Sequence, residues 1–309
     1  MKVVVTGGAG FIGSHVADAF LERGDQVLIV DDLSSGSPEN VPEAAELVKF
    51  DIANGEVVEA TFADFRPDFI AHLAAQASVT VSVADPQRDF ASNVLGTFNI
   101  VRVASKLGVR TAFASTGGAL YGEDAPIPTP ESYVPKPLSP YGASKLAAEA
   151  YVGTLERFHG VAHTVLRLGN VYGPRQNPHG EAGVVAIFSE RLLRDQPPVV
   201  FGKGKPTRDY VHVSDIARAF VLVAETEVAG TFNVGRGKEL SVLELLDVIR
   251  EASGKKMEPK HEPLRPGELT RSAIDSTAAA HAFGWRPEIE PQDGLAQTFQ
   301  WYAAQNARG

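Results

Sequence analysis

A chain of 309 residues with 44% hydrophobic and 22% charged residues has an ordinary globular composition and room for a large core. Its net charge of −9 excludes non-specific nucleic-acid binding, which depends on a basic surface. The absence of cysteine removes disulfides, thiol nucleophiles and thiolate metal sites, and fits a cytoplasmic protein.

The chain enters through Val3-Val4-Val5, a β-branched run that feeds Gly7-Gly8-Ala9-Gly10-Phe11-Ile12-Gly13 and then a helical pattern through Val16, Ala19, Phe20 and Leu21. That leaves no room for a signal peptide, and no later apolar run approaches membrane-spanning length. A second strand over 26–30 ends in Asp31-Asp32, about twenty residues beyond the glycines, as a dinucleotide fingerprint requires. Gly7, Gly10 and Gly13 let backbone approach a pyrophosphate, and the helix opened by Phe11 and Ile12 adds its N-terminal dipole. Asp31 would bind the adenosine ribose hydroxyls and repel a 2′-phosphate, which selects NAD over NADP.

Buried strands near 46–50, 68–73, 111–115 and 164–168 alternate with helical stretches, the pattern of an α/β fold with a doubly wound parallel sheet. Asp51 and Ile52, just past a strand end, are placed to border the adenine, and Leu73-Ala74-Ala75 suits close approach to the middle of the cofactor. Asn93 lies on a helix expected over about 90–107 and is a further cofactor candidate. Ala114-Ser115-Thr116-Gly117-Gly118 leaves a hydroxyl, that of Thr116, where a substrate would meet the nicotinamide.

Six prolines between Ala125 and Pro140 exclude a continuous strand or helix there. The segment delivers Ser139-Pro140-Tyr141-Gly142-Ala143-Ser144-Lys145, in which Ser139 reads as N-cap and Pro140 as the first helical residue. Tyr141 and Lys145 then share a helix face. A tyrosine of ordinary pKa is only ~0.1% ionised near neutrality, so its use as a base costs about 4 kcal/mol. A cation about 4 Å away at an effective dielectric of ~20 supplies an amount of that order.

The later part is less regular. Asn170, Gly173-Pro174-Arg175, a helix ending near Asp195, Arg208-Asp209-Tyr210 before a strand over 211–213, and Arg265-Pro266-Gly267-Glu268 follow in turn. Arginines in turns are natural diphosphate ligands. His159 and His163 are four apart but separated by Gly160, so no metal site is expected from them.

Taken together, residues 6–13, Asp31, Thr116, Tyr141 with Lys145, Asn170, Arg208-Asp209-Tyr210 and 265–268 resemble the extended short-chain dehydrogenase/reductases, and within them the UDP-glucose 4-epimerases. The resemblance covers essentially the whole chain. It implies a seven-stranded NAD-binding Rossmann domain over 1–172 plus about 211–236, a smaller α/β part over about 173–210 plus 237–309 for the nucleotide sugar, and a homodimer packed through two helices per subunit. It assigns Tyr141 as the base for the sugar 4-hydroxyl and Lys145 as the lysine that holds the nicotinamide ribose and lowers the tyrosine pKa. Thr116 becomes a partner of the same hydroxyl, with Asn170, Arg208 and Arg265 as substrate ligands. Two features depart from the common pattern. The stretch from Ser115 to Tyr121 is one residue longer, and the position that gates the sugar 2-substituent falls on Ser272, where glucose-restricted relatives carry tyrosine.

A UDP-glucuronate 4-epimerase would demand only a pocket for a carboxylate in addition. A 4,6-dehydratase would need an Asp-Glu pair where Gly117 and Gly118 stand, and a non-catalytic NAD-binding regulator has no use for Tyr141, Lys145 and Thr116 together.

Overall fold

The computed structural model describes residues 1–178, 183–263 and 269–307. Its centre is a parallel sheet of seven strands in the order β11 (Gly230–Val234), β6 (Thr164–Leu168), β5 (Arg110–Thr116), β4 (Phe69–His72), β1 (Lys2–Thr6), β2 (Gln26–Asp31) and β3 (Glu46–Lys49). The chain starts mid-sheet at β1 (Lys2–Thr6), runs through helix α1 (Phe11–Glu22) to β2 (Gln26–Asp31), and reaches one edge at β3 (Glu46–Lys49). Helix α2 (Gly55–Phe65) carries it back across to β4 (Phe69–His72). β1 therefore pairs with β2 on one side and β4 on the other, and the crevice above that switch point is where ligands of such sheets bind.

Side-chain alternation along β1 explains the layers. Val3 and Val5 join Val16 and Phe20 of α1 in one core, whereas Val4 turns to the other face and packs with Val58 and Phe62 of α2. Two short helices, α3 (Val79–Ala84) and α4 (Pro86–Phe90), lead into α5 (Gly96–Leu107) and β5 (Arg110–Thr116). The single helix expected over 90–107 is in fact divided, because a π-turn at Ala91–Leu95 separates α4 from α5. Asn93 in that turn exchanges two hydrogen bonds with the Gln76 backbone, and Ile52 packs so closely on Gly96 that a Cβ there would lie 2.6 Å from its Cδ1.

Helix α6 (Pro140–His159) precedes β6 (Thr164–Leu168), and the capping read from the sequence is present: Ser139 Oγ accepts from the Gly142 N–H at 3.2 Å with Pro140 at the first turn. Outside the main sheet, β7 (Asn170–Tyr172) leads to α7 (Val184–Leu193), β8 (Val199–Phe201), β9 (Thr207–Arg208) and β10 (Tyr210–His212). α8 (Val213–Glu225) packs beside α1, and β11 (Gly230–Val234) closes the sheet against β6. β12 (Leu240–Ser241), α9 (Val242–Ser253), β13 (Lys260–Glu262), α10 (Thr277–Phe283) and α11 (Pro291–Asn306) complete the described chain. A separate core joins Phe188 and Leu192 of α7 to Leu245 and Ile249 of α9 and Leu295 and Phe299 of α11. The strand expected over 211–213 begins and ends one residue earlier, since Val213 already opens α8. Among the described residues no helix is long and apolar enough to cross a membrane.

Three histidines sit inside this fold. His72 is held between the Thr6 and Thr97 hydroxyls, His163 faces Ser105, and His212 caps α8. Burial pushes them down to about 3, about 4 and about 4. Unfolding frees each to bind a proton below its ordinary pKa of about 6.5, so stability present above that value is lost as pH falls toward the folded values. Denaturant unfolding should show a loss of roughly 4 kcal/mol between about pH 7 and about pH 5.5. A flat profile over that range would contradict the burial of these imidazoles in neutral form.

Candidate active site

The first half of the site is a cradle above the β1–β4 crevice. Gly7 has φ of +72° and lies so near Leu73 and Ala74 that a Cβ would fall 2.7 Å from the Ala74 nitrogen. A Cβ on Gly13 would stand 2.1 Å from the Gly7 carbonyl oxygen. Helix α1 begins at Phe11 and Ile12 with Gly10 as N-cap, no side-chain cap and no acidic residue in its first turn. Its amide end is thus unblocked for an anion. Asp31 closes the cradle at the end of β2, its two oxygens accepting from the Ala9 N–H at 3.0 Å and the Leu33 N–H at 2.8 Å. Burial lifts its carboxyl above the ordinary value, and those two amides offset part of that. Each oxygen keeps a lone pair for a ribose hydroxyl. These features fit a dinucleotide with its pyrophosphate on α1.

The neighbouring candidates divide. Leu73 and Ala74 donate their N–H groups to Thr6 Oγ1, and with Ala75 they border the glycine turn. Asp32 and Asp51 are exposed, and each accepts from the backbone two residues on, from Ser34 and Ala53. Ile52 is buried in the core formed with α2 and α5. Asn93 is wholly buried and gives its amide to Gln76, Asp89 and Ser144.

The second half lies where β5 meets the first turn of α6. Thr116 is the last residue of β5, and its Oγ1 accepts from the Ala119 N–H at 3.2 Å, leaving the hydroxyl proton to donate. Burial pushes the Tyr141 phenol up to about 12; the facing Thr116 hydroxyl pulls it down and the Asp89 charge pushes it further up. Lys145 is 3% exposed, donates to the Ala114 carbonyl at 3.0 Å and lies 4.9 Å from the Phe113 ring centroid. Burial brings its ammonium down to about 8 against the opposing pull of Asp89 and Glu149. Desolvation therefore enlarges the cost expected from the sequence. At a pKa of about 12, ionising Tyr141 near neutrality costs about 7 kcal/mol, more than a single lysine charge supplies at an effective dielectric of ~20.

Beyond Thr116 a narrow cleft is lined by Gly117, Gly118, Tyr121, Gly122, Ile127, Arg271 and Ser272. Asn170 at the start of β7 borders it, with Oδ1 buried and without a hydrogen-bond partner, 3.1 Å from where a Cβ on Gly118 would be. Arg208 lies on β9, paired to β12 and donating to the Thr207 carbonyl at 2.8 Å. Arg265, with the rest of the 264–268 stretch, lies outside the described residues. The sequence reading missed Gln76, Asp89, Ser144 and His72. No local signal marks them, because their partners come from distant parts of the chain.

Comparison with known proteins gives a consistent result. Residues 3–235 match the sequence model of the NAD dependent epimerase/dehydratase family. A UDP-glucose 4-epimerase of Mycolicibacterium smegmatis is 43% identical over 308 residues, with 98% of each chain covered. A Thermotoga maritima UDP-glucose 4-epimerase solved with UDP-glucose superposes with a TM-score of 0.97 at 44% identity, covering 99% of this chain and 100% of that one. The Thermus thermophilus UDP-glucose 4-epimerase in complex with NAD gives 0.92 at 44% identity, over 98% and 99% of the two chains.

The cradle generates a direct test. Gly13→Ala places its methyl against backbone that cannot give way, so calorimetric titration should show dinucleotide affinity weakened more than about tenfold. Gly153→Ala, whose nearest neighbour is the far end of the Arg157 side chain at 3.4 Å, should bind normally. Equal affinity in the two variants would remove the glycine turn from the binding site.

Proposed function

The chain belongs to the NAD-dependent epimerase/dehydratase family, and on that premise we propose that it interconverts UDP-glucose and UDP-galactose by epimerisation at C4 through a transient 4-keto sugar. The convergence of Thr116, Tyr141 and Lys145 at the carboxyl edge of β5, beside a glycine-lined cleft, carries this reading. Tyr141 takes the proton of the 4-hydroxyl, and Thr116 holds the same oxygen. Lys145, anchored on Ala114, keeps positive charge at the floor of the site while the phenolate exists. The α1 N-terminus and Asp31 would hold NAD, which when bound would supply the hydride acceptor and a further positive charge. Tyr141 later returns its proton to O4 as the hydride would come back to the opposite face of C4, so the reaction is redox-neutral.

On the substrate side, Asn170, Arg208 and Arg265 are proposed ligands, the two arginines for the diphosphate. The backbone of Gly117 and Gly118 lines the cleft in which the keto sugar would turn over. Ser272, small where a bulky residue would block a 2-acetamido group, extends the substrate range to the N-acetylated pair.

The test is to incubate the purified protein with UDP-glucose, UDP-N-acetylglucosamine and UDP-glucuronate in turn, with no NAD added, and identify products by NMR. Galactose and N-acetylgalactosamine products are expected from the first two. Tyr141→Phe should lose at least about a hundredfold in kcat while retaining NAD. Loss of water from the sugar, a strict need for NADP, or near-normal turnover by Tyr141→Phe would overturn the reading, and no conversion of the N-acetylated sugar would remove Ser272 from specificity.

We also propose that two copies pair through α5 and α6. Leu95, Leu107, Tyr151 and Phe158 are exposed on or beside these helices, Phe158 at 80%. Sedimentation equilibrium should give twice the chain mass, and Tyr151→Glu combined with Phe158→Glu should give the monomer. A wild-type monomer would exclude this pairing.

A further inference from the structure

Behind the Tyr141–Lys145 turn lies a carboxylate that the proposed reaction does not use. Asp89 on α4 is 1% exposed. Its Oδ1 accepts from Gln76 Nε2 at 2.8 Å and from Asn93 Nδ2 at 3.0 Å, so amides surround it rather than a guanidinium or ammonium. Burying such a charge is costly, and two neutral donors offset only part of the cost.

The hydrogen bonds form a chain with a fixed direction. An ionised carboxylate only accepts, so Asn93 must turn its nitrogen toward Asp89, which leaves its oxygen for the Gln76 N–H at 2.9 Å. The two hydrogens of that nitrogen are shared among Gln76 O, Asp89 Oδ1 and Ser144 Oγ at 2.9, 3.0 and 3.1 Å. Ser144 then donates its own proton to the Tyr141 carbonyl at 2.9 Å, one residue before Lys145. The chain runs from α4 through the π-turn into the first turn of α6.

We infer that Asp89 is a positioning residue: it fixes the orientation of the Asn93 amide, through Ser144 it holds the turn that carries Tyr141, and it sets a carboxylate behind Tyr141 and Lys145. The inference rests on the reading of Tyr141 as the base. The charge acts on both groups in the same direction, holding the phenol proton and the lysine proton more tightly. A base that must also give its proton back gains from that restraint. The other groups facing the turn are Thr116 and Ser115 on β5, Lys145 and Glu149 on α6, Arg167 of β6 bound to Glu149, and His72 of β4, held neutral.

The deciding experiment titrates Tyr141 in the holoenzyme by tyrosinate difference absorbance, with the Tyr141→Phe variant subtracted to isolate it from the other tyrosines. The same subtraction is made in an Asp89→Asn background. The Tyr141 midpoint is expected to fall by about half a unit or more in Asp89→Asn. An unchanged or higher midpoint overturns the inference. Ser144→Ala alters no charge and should leave the midpoint in place, while kcat drops about tenfold with the UDP-sugar KM within about twofold. An unchanged kcat there overturns the positioning role. Were Tyr141→Phe to turn over normally, the reading of Tyr141 would fail, and the absorbance titration would still decide the effect of the Asp89 charge.

Discussion

The buried pair of Glu149 and Arg167 is the constraint from which the geometry of the site follows. Glu149 stands one turn beyond Lys145 on α6, and Arg167 reaches it from β6 with Nη2 to Oε2 at 2.6 Å. Ser115 donates to the same carboxylate at 2.5 Å, which fixes the strand position just before Thr116. Arg167 also donates to the Tyr121 hydroxyl at 2.9 Å, and Tyr121 donates to Asn233 on β11 at 2.7 Å. Asn233 completes the chain by donating to the Thr129 and Asp275 carbonyls. One network thus locks α6, β5, β6 and β11 to the loop beyond β5 that lines the cleft next to Thr116. A buried pair adds little net stability over apolar packing, but removing either member strands a charge in the interior. Its consequence here is placement: the pair and its hydrogen-bond partners hold Thr116 and Lys145 relative to each other from behind.

Placement matters because Lys145 is buried and Tyr141 half-buried. Burial that suits hydride chemistry also pushes Tyr141 up to about 12 and Lys145 down to about 8. Both shifts oppose the phenolate–ammonium pair that the proposed reaction uses. In the proposed reaction that cost would be met by several modest contributions acting together: the Thr116 hydroxyl, the lysine charge, and the positive nicotinamide ring of a bound NAD. Each depends on distances of a few ångströms, which the Glu149–Arg167 and Asn93–Ser144 networks fix from behind.

How far the sequence revealed this depended on whether a signal was local. Val3-Val4-Val5 and the glycine turn announced β1 and α1, because strand alternation and close backbone approach are short-range properties. Ser139 and Pro140 announced the start of α6 for the same reason, and Tyr141 and Lys145 followed from helical spacing. Asn93 illustrates the limit. Its neighbourhood has helical periodicity, so nothing local indicated the π-turn, whose cause is a pairing with Gln76 across 17 residues. The packing of the Ile52 side chain on Gly96, 44 residues away, was likewise beyond any local signal. His72 and Asp89 were invisible because their partners, Thr6 and Thr97 for one and Gln76 and Asn93 for the other, come together only in the folded chain. The desolvation of Tyr141 belongs to the same class, since no spacing in a sequence measures the dielectric around a phenol.

In the proposed epimerisation one hydrogen leaves C4 of the sugar and returns to the other face of the same carbon without meeting solvent. This is tested most directly by converting UDP-glucose that carries deuterium at C4, in ordinary water with no nicotinamide cofactor added, and examining the UDP-galactose by NMR. Deuterium retained in full at C4 is the expected result. Replacement of that deuterium by solvent hydrogen would contradict the claim.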